Sequence, residues 1–337
     1  GGSIAWRDSG GALRVGPQSA GAVPGPACYG HGSELPTVTD ANLLLGRLPT
    51  DRPLAGGLQL DHDAAERAVA TLANELGLGT LACADGIVRV AESEMLGALR
   101  QITVQRGIDP RRFALMSFGG AGPLHACAMA RELGIRRVLC PRASGVLCAL
   151  GLAAAAPRHD LSRTVMLSGD AFTAERVREL RDALVEQAER ALAGERERLR
   201  VTYELRYSGQ SFELAVEQSE SVDPRVLADA FADAHEQRYG YRDKHATVEL
   251  VNVRVSIWAH APEPALRGDE DGELTPGATL SGPSVHALGE STLYVPDDWS
   301  GVVDQHGTIV LDDERAAGTD DAIGDADDPG AAAEPTR

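Results

Sequence analysis

Residues 118–126 (FGGAGPLHA) combine residue types that suit a ligand contact at the start of a helix. Three glycines lie in the turn: Gly119, Gly120 and Gly122. Glycines let the backbone approach a ligand closely, and Pro123 suits the first position of a helix, whose free N–H groups favour an anion. The pattern therefore predicts a contact to a nucleotide phosphate or sugar. A tight strand-to-helix turn without a ligand explains the same spacing, and His125 then only bonds to nearby backbone.

Residues 36–42 (PTVTDAN) offer a second group of polar side chains, just before an apolar run. Asp40 and Asn42, two residues apart, carry the oxygen ligands needed to hold Mg²⁺ or to orient a water molecule. The segment is also typical of a helix start, because Thr39 or Asp40 before an apolar run is an ordinary N-cap. Both interpretations stay open at this point.

Residues 145–151 (GVLCALG) form a third group, made of small and apolar residues. Such residues permit close contact of a helix with another helix or with a nucleotide, and simple packing explains them equally. The five cysteines are odd in number and have no Cys-x-x-Cys pair: Cys28, Cys83, Cys127, Cys140 and Cys148. This favours small, buried thiols in a reducing cytoplasm and argues against a disulfide framework or a zinc site.

The order of predicted elements around these groups indicates an α/β fold. A helix is predicted after Asp61 and ends at Gly77, and a second helix is predicted over residues 85–105. A buried strand at 113–118, a helix at 124–133 and a strand at 137–140 follow in βαβ order, which implies a parallel pair with a right-handed crossover.

From about residue 160 the character of the sequence changes. Predicted elements are a long polar helix over about residues 173–200, strands at 201–207 and 212–217, a helix at 223–238 and a strand at 248–258. Residues 312–337 carry nine acids and two arginines without periodicity, and we expect them to be disordered. The predicted domains are therefore residues 1–160 and 161–311, followed by an acidic tail.

Charge and hydropathy exclude several classes of partner. The 337 residues include 50 acids and 32 bases, a net charge of −18. The bases are not clustered as phosphate neutralisation requires, which argues against nucleic acid and against an anionic membrane surface. No apolar run approaches the roughly 20 residues of a spanning helix, no signal peptide is visible, and a cytoplasmic protein is expected. Because the first residue is Gly1, the native start is predicted to lie upstream.

The motifs together resemble the hydantoinase A/5-oxoprolinase family, which includes the acetone carboxylase β subunit. The resemblance extends over residues 1–311. In the first half it rests on residues 1–5, 16–30, 36–42, 118–126 and 145–151. In the second half it rests on residues 207–214, 235–241, 251–254, 282–283 and 296–299.

The resemblance implies an incomplete actin-like ATPase (ribonuclease H-like) lobe followed by an α+β C-terminal domain. It implies ATP with Mg²⁺ or Mn²⁺, which phosphorylates an unreactive amide oxygen of a cyclic amide such as hydantoin, N-methylhydantoin or 5-oxoproline. A B-type subunit is the implied partner. Two alternatives are an ATP-dependent ketone carboxylase β subunit and a non-catalytic fragment that only binds a B-type subunit.

Roles carried over from the family fall on positions of the matching motifs. The nucleotide-contacting positions are Gly2, Ser3, Gly119, Gly120, Ala121, Gly122, Gly145 and Gly151. The catalytic positions are Asp40, Asn42 and His125, with Asp40 also the metal ligand. The family's two phosphate-gripping segments lie upstream of the motif that opens this chain, so we expect the chain alone to bind ATP poorly. Cys148 stands where the family often has serine.

The acidic composition predicts a dependence of stability on salt. Of the 32 bases only Lys244 is a lysine, a bias that fits either adaptation to high salt or an acidic protein from a GC-rich genome. In the first case screening relieves self-repulsion. The free energy of unfolding, measured by urea titration, then rises as KCl increases toward roughly molar levels, where the Debye length is about 3 Å. Equal stability in dilute buffer contradicts salt adaptation.

Overall fold

The computed structural model describes residues 2–243, 245–264 and 274–319. It divides into two compact units. The first unit combines residues 2–150 with residues 274–319, and the second contains residues 151–264. Among the described residues, no helix is both long enough and apolar enough to cross a membrane.

The described residues contain seven α-helices and thirteen strands. The helices are α1 (Val38–Leu44), α2 (His62–Leu76), α3 (Thr80–Ile102), α4 (Gly122–Leu133), α5 (Leu147–Ala154), α6 (Ala174–Ala191) and α7 (Pro224–Tyr239). The strands are β1 (Ser3–Arg7), β2 (Leu13–Ser19), β3 (Leu115–Met116), β4 (Arg137–Cys140), β5 (Arg158–Leu167), β6 (Arg196–Tyr207), β7 (Leu214–Glu217), β8 (Val248–Ala259), β9 (Thr279–Ser281), β10 (Ser284–Leu288), β11 (Ser291–Val295), β12 (Trp299–Val303) and β13 (Ile309–Asp313).

The main sheet of the first unit has the strand order β3-β4-β13-β12-β9. β3 and β4 are parallel and are joined through α4, which confirms the predicted βαβ order. The prediction of a buried strand over residues 113–118 was wrong, because β3 has only two residues and Phe113, Met116 and Phe118 are exposed. The other pairs are antiparallel. Trp299 and Leu311 from the sheet share one buried cluster with Ala126 and Ala130 of α4, so α4 packs on the sheet through small residues.

The helices at the start of the first unit follow the sequence signals closely. The Asp61 side chain accepts a hydrogen bond from the Ala64 N–H at the start of α2, and Gly77 ends the helix in a left-handed conformation, as predicted. α3 begins at Thr80, five residues before the predicted start, and ends at Ile102. Together with α1 and the β1–β2 hairpin, both helices enclose a small core.

The second unit is a four-stranded antiparallel sheet in the order β5-β8-β6-β7. Val201, Tyr203 and Leu205 of β6 alternate inward and share a buried cluster with residues of α6 and α7. The prediction of a single long helix over residues 173–200 was wrong. Its first part is α6, and Gly194, with φ +113°, lies between that helix and β6, which pairs with β8 from Arg196 onward. Sheet pairing thus overrides the helix propensity of this arginine- and glutamate-rich segment.

The observed units differ from the predicted domains. The units divide at residues 150/151 rather than near 160, and β9 to β13 return to the first unit. β13 joins the sheet of the first unit by pairing with β4, and Ile309 lies opposite Cys140. Asp312 and Asp313, predicted to start the disordered tail, belong to β13, and the Arg137 guanidinium donates to Asp312 at 2.7 Å. Residues 320–337 of the predicted tail lie outside the described residues.

Four of the five cysteines are buried free thiols, as the sequence predicted, whereas Cys148 is exposed. Burial raises the pKa of Cys127 to about 12 and also raises the pKa of Cys83 and Cys140. The pKa of Cys28 is raised by burial and by the neighbouring Asp40 carboxylate. Because the thiolate is the reactive form, these four thiols are poor nucleophiles at neutral pH.

This difference in exposure predicts the stoichiometry of thiol labelling. With an aromatic disulfide reagent at pH 8, the native chain reacts at one thiol, Cys148, and the chain in denaturant reacts at all five cysteines. The change Cys148→Ser removes the native reaction and leaves the denatured count one lower. A second rapidly reacting thiol in the native chain contradicts the buried positions.

Candidate functional site

A cavity of about 310 Å³ lies in the first unit beside the glycine turn that precedes α4. Its lining comes from the turn and the start of α4, from α1 and the apolar loop over residues 48–58 that follows it, from Tyr29, and from the tip of the β10–β11 hairpin. The polar residues that line it are Thr39, Asn42, His125, Glu290, Ser291 and Thr292. The structure therefore brings two predicted motifs together and adds a third segment from a part of the chain that the sequence had assigned to the other domain.

The glycine turn is held by backbone contacts. Gly119 has φ +82°, a conformation that favours glycine, and its N–H donates to the Ser144 carbonyl at 2.7 Å. The Thr292 N–H donates to the Gly120 carbonyl at 3.4 Å, which fastens the hairpin tip to the turn. α4 then begins at Gly122 with proline in its first turn, as predicted, and no side chain caps its first N–H groups. The N-cap residue of this helix, Ala121, lines the cavity.

His125 is buried and is held by a carboxylate. Its Nδ1 lies 3.0 Å from Glu92 Oε1, and because a carboxylate accepts, Nδ1 carries the proton of the neutral ring. In that tautomer Nε2 is an acceptor, and His125 lines the cavity. The Arg47 guanidinium lies 3.6 Å from the same Glu92 oxygen and over the Tyr294 ring. The sequence did not identify Glu92, because an acid within a long helix carries no signal that it faces a histidine 33 residues later.

Asn42 has an unsatisfied acceptor. The residue is 1% exposed, and its Nδ2 donates to the Val38 carbonyl at 2.9 Å. Its Oδ1 is buried and has no hydrogen-bond partner among the described residues. A buried acceptor without a donor costs about 1–3 kcal/mol. Asn42 lines the cavity, but Oδ1 itself has almost no accessible surface, so a ligand donor reaches it and removes this cost only when the neighbouring side chains move.

Asp40 does not have the metal-binding arrangement predicted for it. It is fully buried, and its carboxylate accepts from the Cys28 N–H at 2.8 Å and from the N–H and hydroxyl of Thr37, both at 2.8 Å. The Ala27 N–H adds a longer bond of 3.3 Å. The N-cap of α1 is Thr37, so the expectation of Thr39 or Asp40 at that position was wrong, and Asp40 completes a capping box from the third helical position. Asp40 thus supports the helix start and a loop, and it does not line the cavity.

The other predicted nucleotide positions lie in different places. Gly145 is beside the cavity, where a Cβ would come within 2.6 Å of the Glu290 carbonyl oxygen, and only glycine fits. Gly2 and Ser3 belong to the β1–β2 hairpin region near Ser19 and do not line the cavity. Gly151 belongs to the second unit, so the structure does not group it with these residues.

The lining is nearly free of charge. No arginine or lysine is among the described residues that line the cavity, and Glu290 is the only acid. Such a lining suits the uncharged part of a ligand, since a triphosphate needs cations or a metal. In the described part of the chain the only cluster of three metal-ligand side chains is His62, Asp63 and Glu66, which is exposed on α2 and does not line this cavity.

Comparison with known proteins identifies the relatives of the chain. The family model described as hydantoinase/oxoprolinase matches residues 1–161. An uncharacterized protein of Methanocaldococcus jannaschii is 38% identical over 93% of this chain and 50% of its own length. The caprolactamase alpha subunit of Pseudomonas jessenii is 33% identical over 92% of this chain and 51% of its own length.

Solved structures agree with these matches. The crystal structure of the ATP-dependent caprolactamase of Pseudomonas jessenii has a TM-score of 0.65 at 31% identity and covers 93% of this chain and 52% of its own. A nucleotide-free acetone carboxylase has a TM-score of 0.80 at 24% identity, with 93% and 51% covered, and shows a shared mixed α/β fold. The chain therefore spans about half the length of the relatives it matches.

The contacts of Asp40 predict a large loss of stability when its charge is removed. In Asp40→Asn one carboxylate oxygen becomes an N–H₂ group, which faces either the Cys28 N–H or the Thr37 N–H, so at least one buried donor loses its acceptor. The free energy of unfolding in urea falls by about 2–4 kcal/mol. The control is Asp61→Asn at the exposed N-cap of α2, which stays within ~0.5 kcal/mol because asparagine caps equally well. Equal effects of the two changes contradict the buried role of Asp40.

Proposed function

Because the chain belongs to the hydantoinase/oxoprolinase family, we propose that it is part of the A subunit of an ATP-dependent amidohydrolase that opens a cyclic amide. The proposal rests chiefly on the cavity beside the glycine turn, where the matching motifs converge and Asn42 keeps an unpaired acceptor. The ATP-dependent caprolactamase, which opens a lactam by its name, supports this reaction class. The proposed fold is an actin-like ATPase lobe with a second α+β unit.

In this proposal the cavity holds the uncharged part of ATP. Asn42 Oδ1 and His125 Nε2 are both acceptors, so they match a ligand that presents two donors, such as an amino group or sugar hydroxyls. The uncapped start of α4 and the close backbone approach at Gly120 and Ala121 suit the same ligand. ATP, when bound, would supply the phosphoryl group that activates the amide oxygen. Acid–base roles of Asn42 and His125 stay predictions.

The described residues do not fit a metal ion at Asp40. The carboxylate oxygens are taken up by backbone and hydroxyl donors, and Asp40 is fully buried. Asp40 therefore has no free carboxylate oxygen for the Mg²⁺ or Mn²⁺ that is expected with ATP. What Asp40 does is hold the loop and helix that carry Tyr29 and Asn42 to the cavity.

Partner subunits belong to the same proposal. Two relatives are named as subunits, caprolactamase subunit alpha and acetophenone carboxylase gamma subunit. We infer that this chain acts together with an upstream A-subunit half and a B-type subunit. The phosphates of ATP then contact residues outside this chain, which agrees with the absence of arginine and lysine from the cavity residues that the structure describes.

The test is ADP release from the reconstituted assembly. The chain, an upstream A-subunit half and a B-type subunit are assayed with hydantoin, 5-oxoproline, ε-caprolactam and acetone. We expect stimulation by a cyclic amide. His125→Gln lowers kcat/KM roughly 10- to 100-fold, the loss of one buried ligand hydrogen bond. The control His62→Gln, at an exposed position of α2, leaves the rate unchanged.

The substrate panel separates the alternatives. Stimulation by acetone alone supports a ketone carboxylase subunit and contradicts the amidohydrolase. Binding of the B-type subunit without stimulation by any substrate supports a non-catalytic module. A rate unaffected by His125→Gln removes the cavity beside the glycine turn from the proposal.

A further inference from the structure

The second unit has its own cavity, of about 320 Å³, between the turn that joins β6 to β7 and the end of α7. Gln210 and Phe212 come from the turn, and His235, Tyr239 and Tyr241 come from α7 and the segment after it. Gly209, with φ +88°, gives the turn the conformation that brings Gln210 back toward α7. Nothing in the proposed ATP site uses these residues.

Two polar side chains of this cavity are paired: Gln210 donates a hydrogen bond and His235 accepts it. His235 is 1% exposed, and its Nδ1 lies 3.0 Å from the Tyr241 carbonyl oxygen. A carbonyl only accepts, so the ring proton sits on Nδ1 and Nε2 is an acceptor. Gln210 Nε2 lies 3.4 Å from that Nε2, and Gln210 Oε1 accepts from the Tyr207 N–H at 3.4 Å. Both bonds of Gln210 are long, and its second amide hydrogen has no other acceptor among the described residues.

The walls of the cavity are aromatic. The rings of Tyr239 and Tyr241 have centroids 4.8 Å from the His235 ring, and both side chains are about half exposed. Phe212 at the tip of the turn is 80% exposed. Tyr207 and Phe231 pack against the other sides of His235 and hold it in place. The chain is only 4% aromatic, so this concentration around one histidine is exceptional within it.

We propose that this cavity binds the cyclic amide, with the amide edge on Gln210 and His235 and the ring carbons against the aromatic walls. A small lactam ring holds its amide in the cis form, so its N–H and C=O point to the same side. The lactam N–H replaces the Gln210 amide as the donor to His235 Nε2, whose single lone pair accepts one hydrogen bond, and the long 3.4 Å bond of Gln210 makes this exchange inexpensive. The released Gln210 amide then donates to the lactam oxygen. An open-chain secondary amide is trans by about 2.5 kcal/mol and presents the two groups on opposite edges. The substrate class rests on the proposed function.

The same residues also fasten the segment after α7. The Tyr207 hydroxyl accepts from the Asp243 N–H at 3.1 Å, and the Tyr241 carbonyl accepts from His235. A purely structural role of the cluster explains these two bonds. It does not explain why Phe212, which makes none of them, is exposed at the rim of the cavity. The two roles are separated by ligand binding.

The test is titration of the full chain, without ATP, followed by NMR and calorimetry. The probes are ε-caprolactam, its N-methyl derivative and N-methylacetamide, an open-chain amide. We expect saturable binding of caprolactam, with a shift of the His235 Nε2 resonance. The N-methyl derivative and N-methylacetamide bind at least tenfold more weakly, because one hydrogen bond of about 1.4 kcal/mol is lost.

Three variants locate the site. Phe212→Ala, at an exposed position, weakens caprolactam binding without a change in stability, and Gln210→Ala abolishes it. The matched control is Phe113→Ala, an exposed phenylalanine of the first unit, which leaves binding unchanged. His125→Gln also leaves it unchanged, because that residue belongs to the other cavity.

Several outcomes overturn the proposal. They are absence of saturable binding, equal affinity for caprolactam and its N-methyl derivative, and loss of binding in His125→Gln but not in Phe212→Ala. Loss of B-type subunit binding in Phe212→Ala, with lactam binding intact, assigns the aromatic rim to subunit docking instead. None of these outcomes depends on ADP release by the reconstituted assembly. The proposed function can therefore hold even if this binding site is wrong.

Discussion

The buried carboxylate of Asp40 is the contact on which the cavity of the first unit depends. It accepts hydrogen bonds from backbone N–H groups at Ala27, Cys28 and Thr37, so one side chain fastens a glycine- and proline-rich loop to the first turn of α1. Asn42 lies two residues further along that helix, and its orientation follows from the cap. A charge buried so deeply is tolerated only because donors surround it. The motif around Asp40 therefore shapes the cavity from a distance, because Asp40 itself does not line it.

The second constraint is that the chain returns to the first unit after it has formed the second unit. β13 pairs with β4 across about 170 residues, and the β10–β11 hairpin then places Glu290, Ser291 and Thr292 over the glycine turn. The Ser144 and Ser291 hydroxyls meet at 2.8 Å, and Gly145 leaves room for the hairpin. The cavity is thus closed by residues that a linear division of the chain assigns elsewhere. Its existence depends on the sheet being completed from both ends of the sequence.

Local signals predicted the elements that local physics decides. Asp61 and Gly77 bound α2, and the βαβ unit around the glycine turn followed from its order. The wrong or missing predictions share one cause, which is contact between residues that are far apart in the sequence. The segment from Arg196 reads as helix but pairs with β8, and Glu92 became a partner of His125 only when α3 packed near α4. For the cavity of the first unit, the motifs contained the lining residues Asn42 and His125. They did not contain Glu92, which the fold brings to His125.

The two cavities differ in a way that bears on what each can recognise. The first is lined by Asn42, whose buried Oδ1 has no donor among the described residues, and by His125, whose Nε2 is an acceptor in the tautomer that donates to Glu92, so it favours a ligand that presents donors. The second offers a donor beside an acceptor, which an amide edge matches and an amino group does not. Neither is lined by a cation among the described residues, so charge plays little part in either fit. In a chain of net charge −18, recognition of neutral groups by buried hydrogen bonds avoids the repulsion that an anionic ligand would meet.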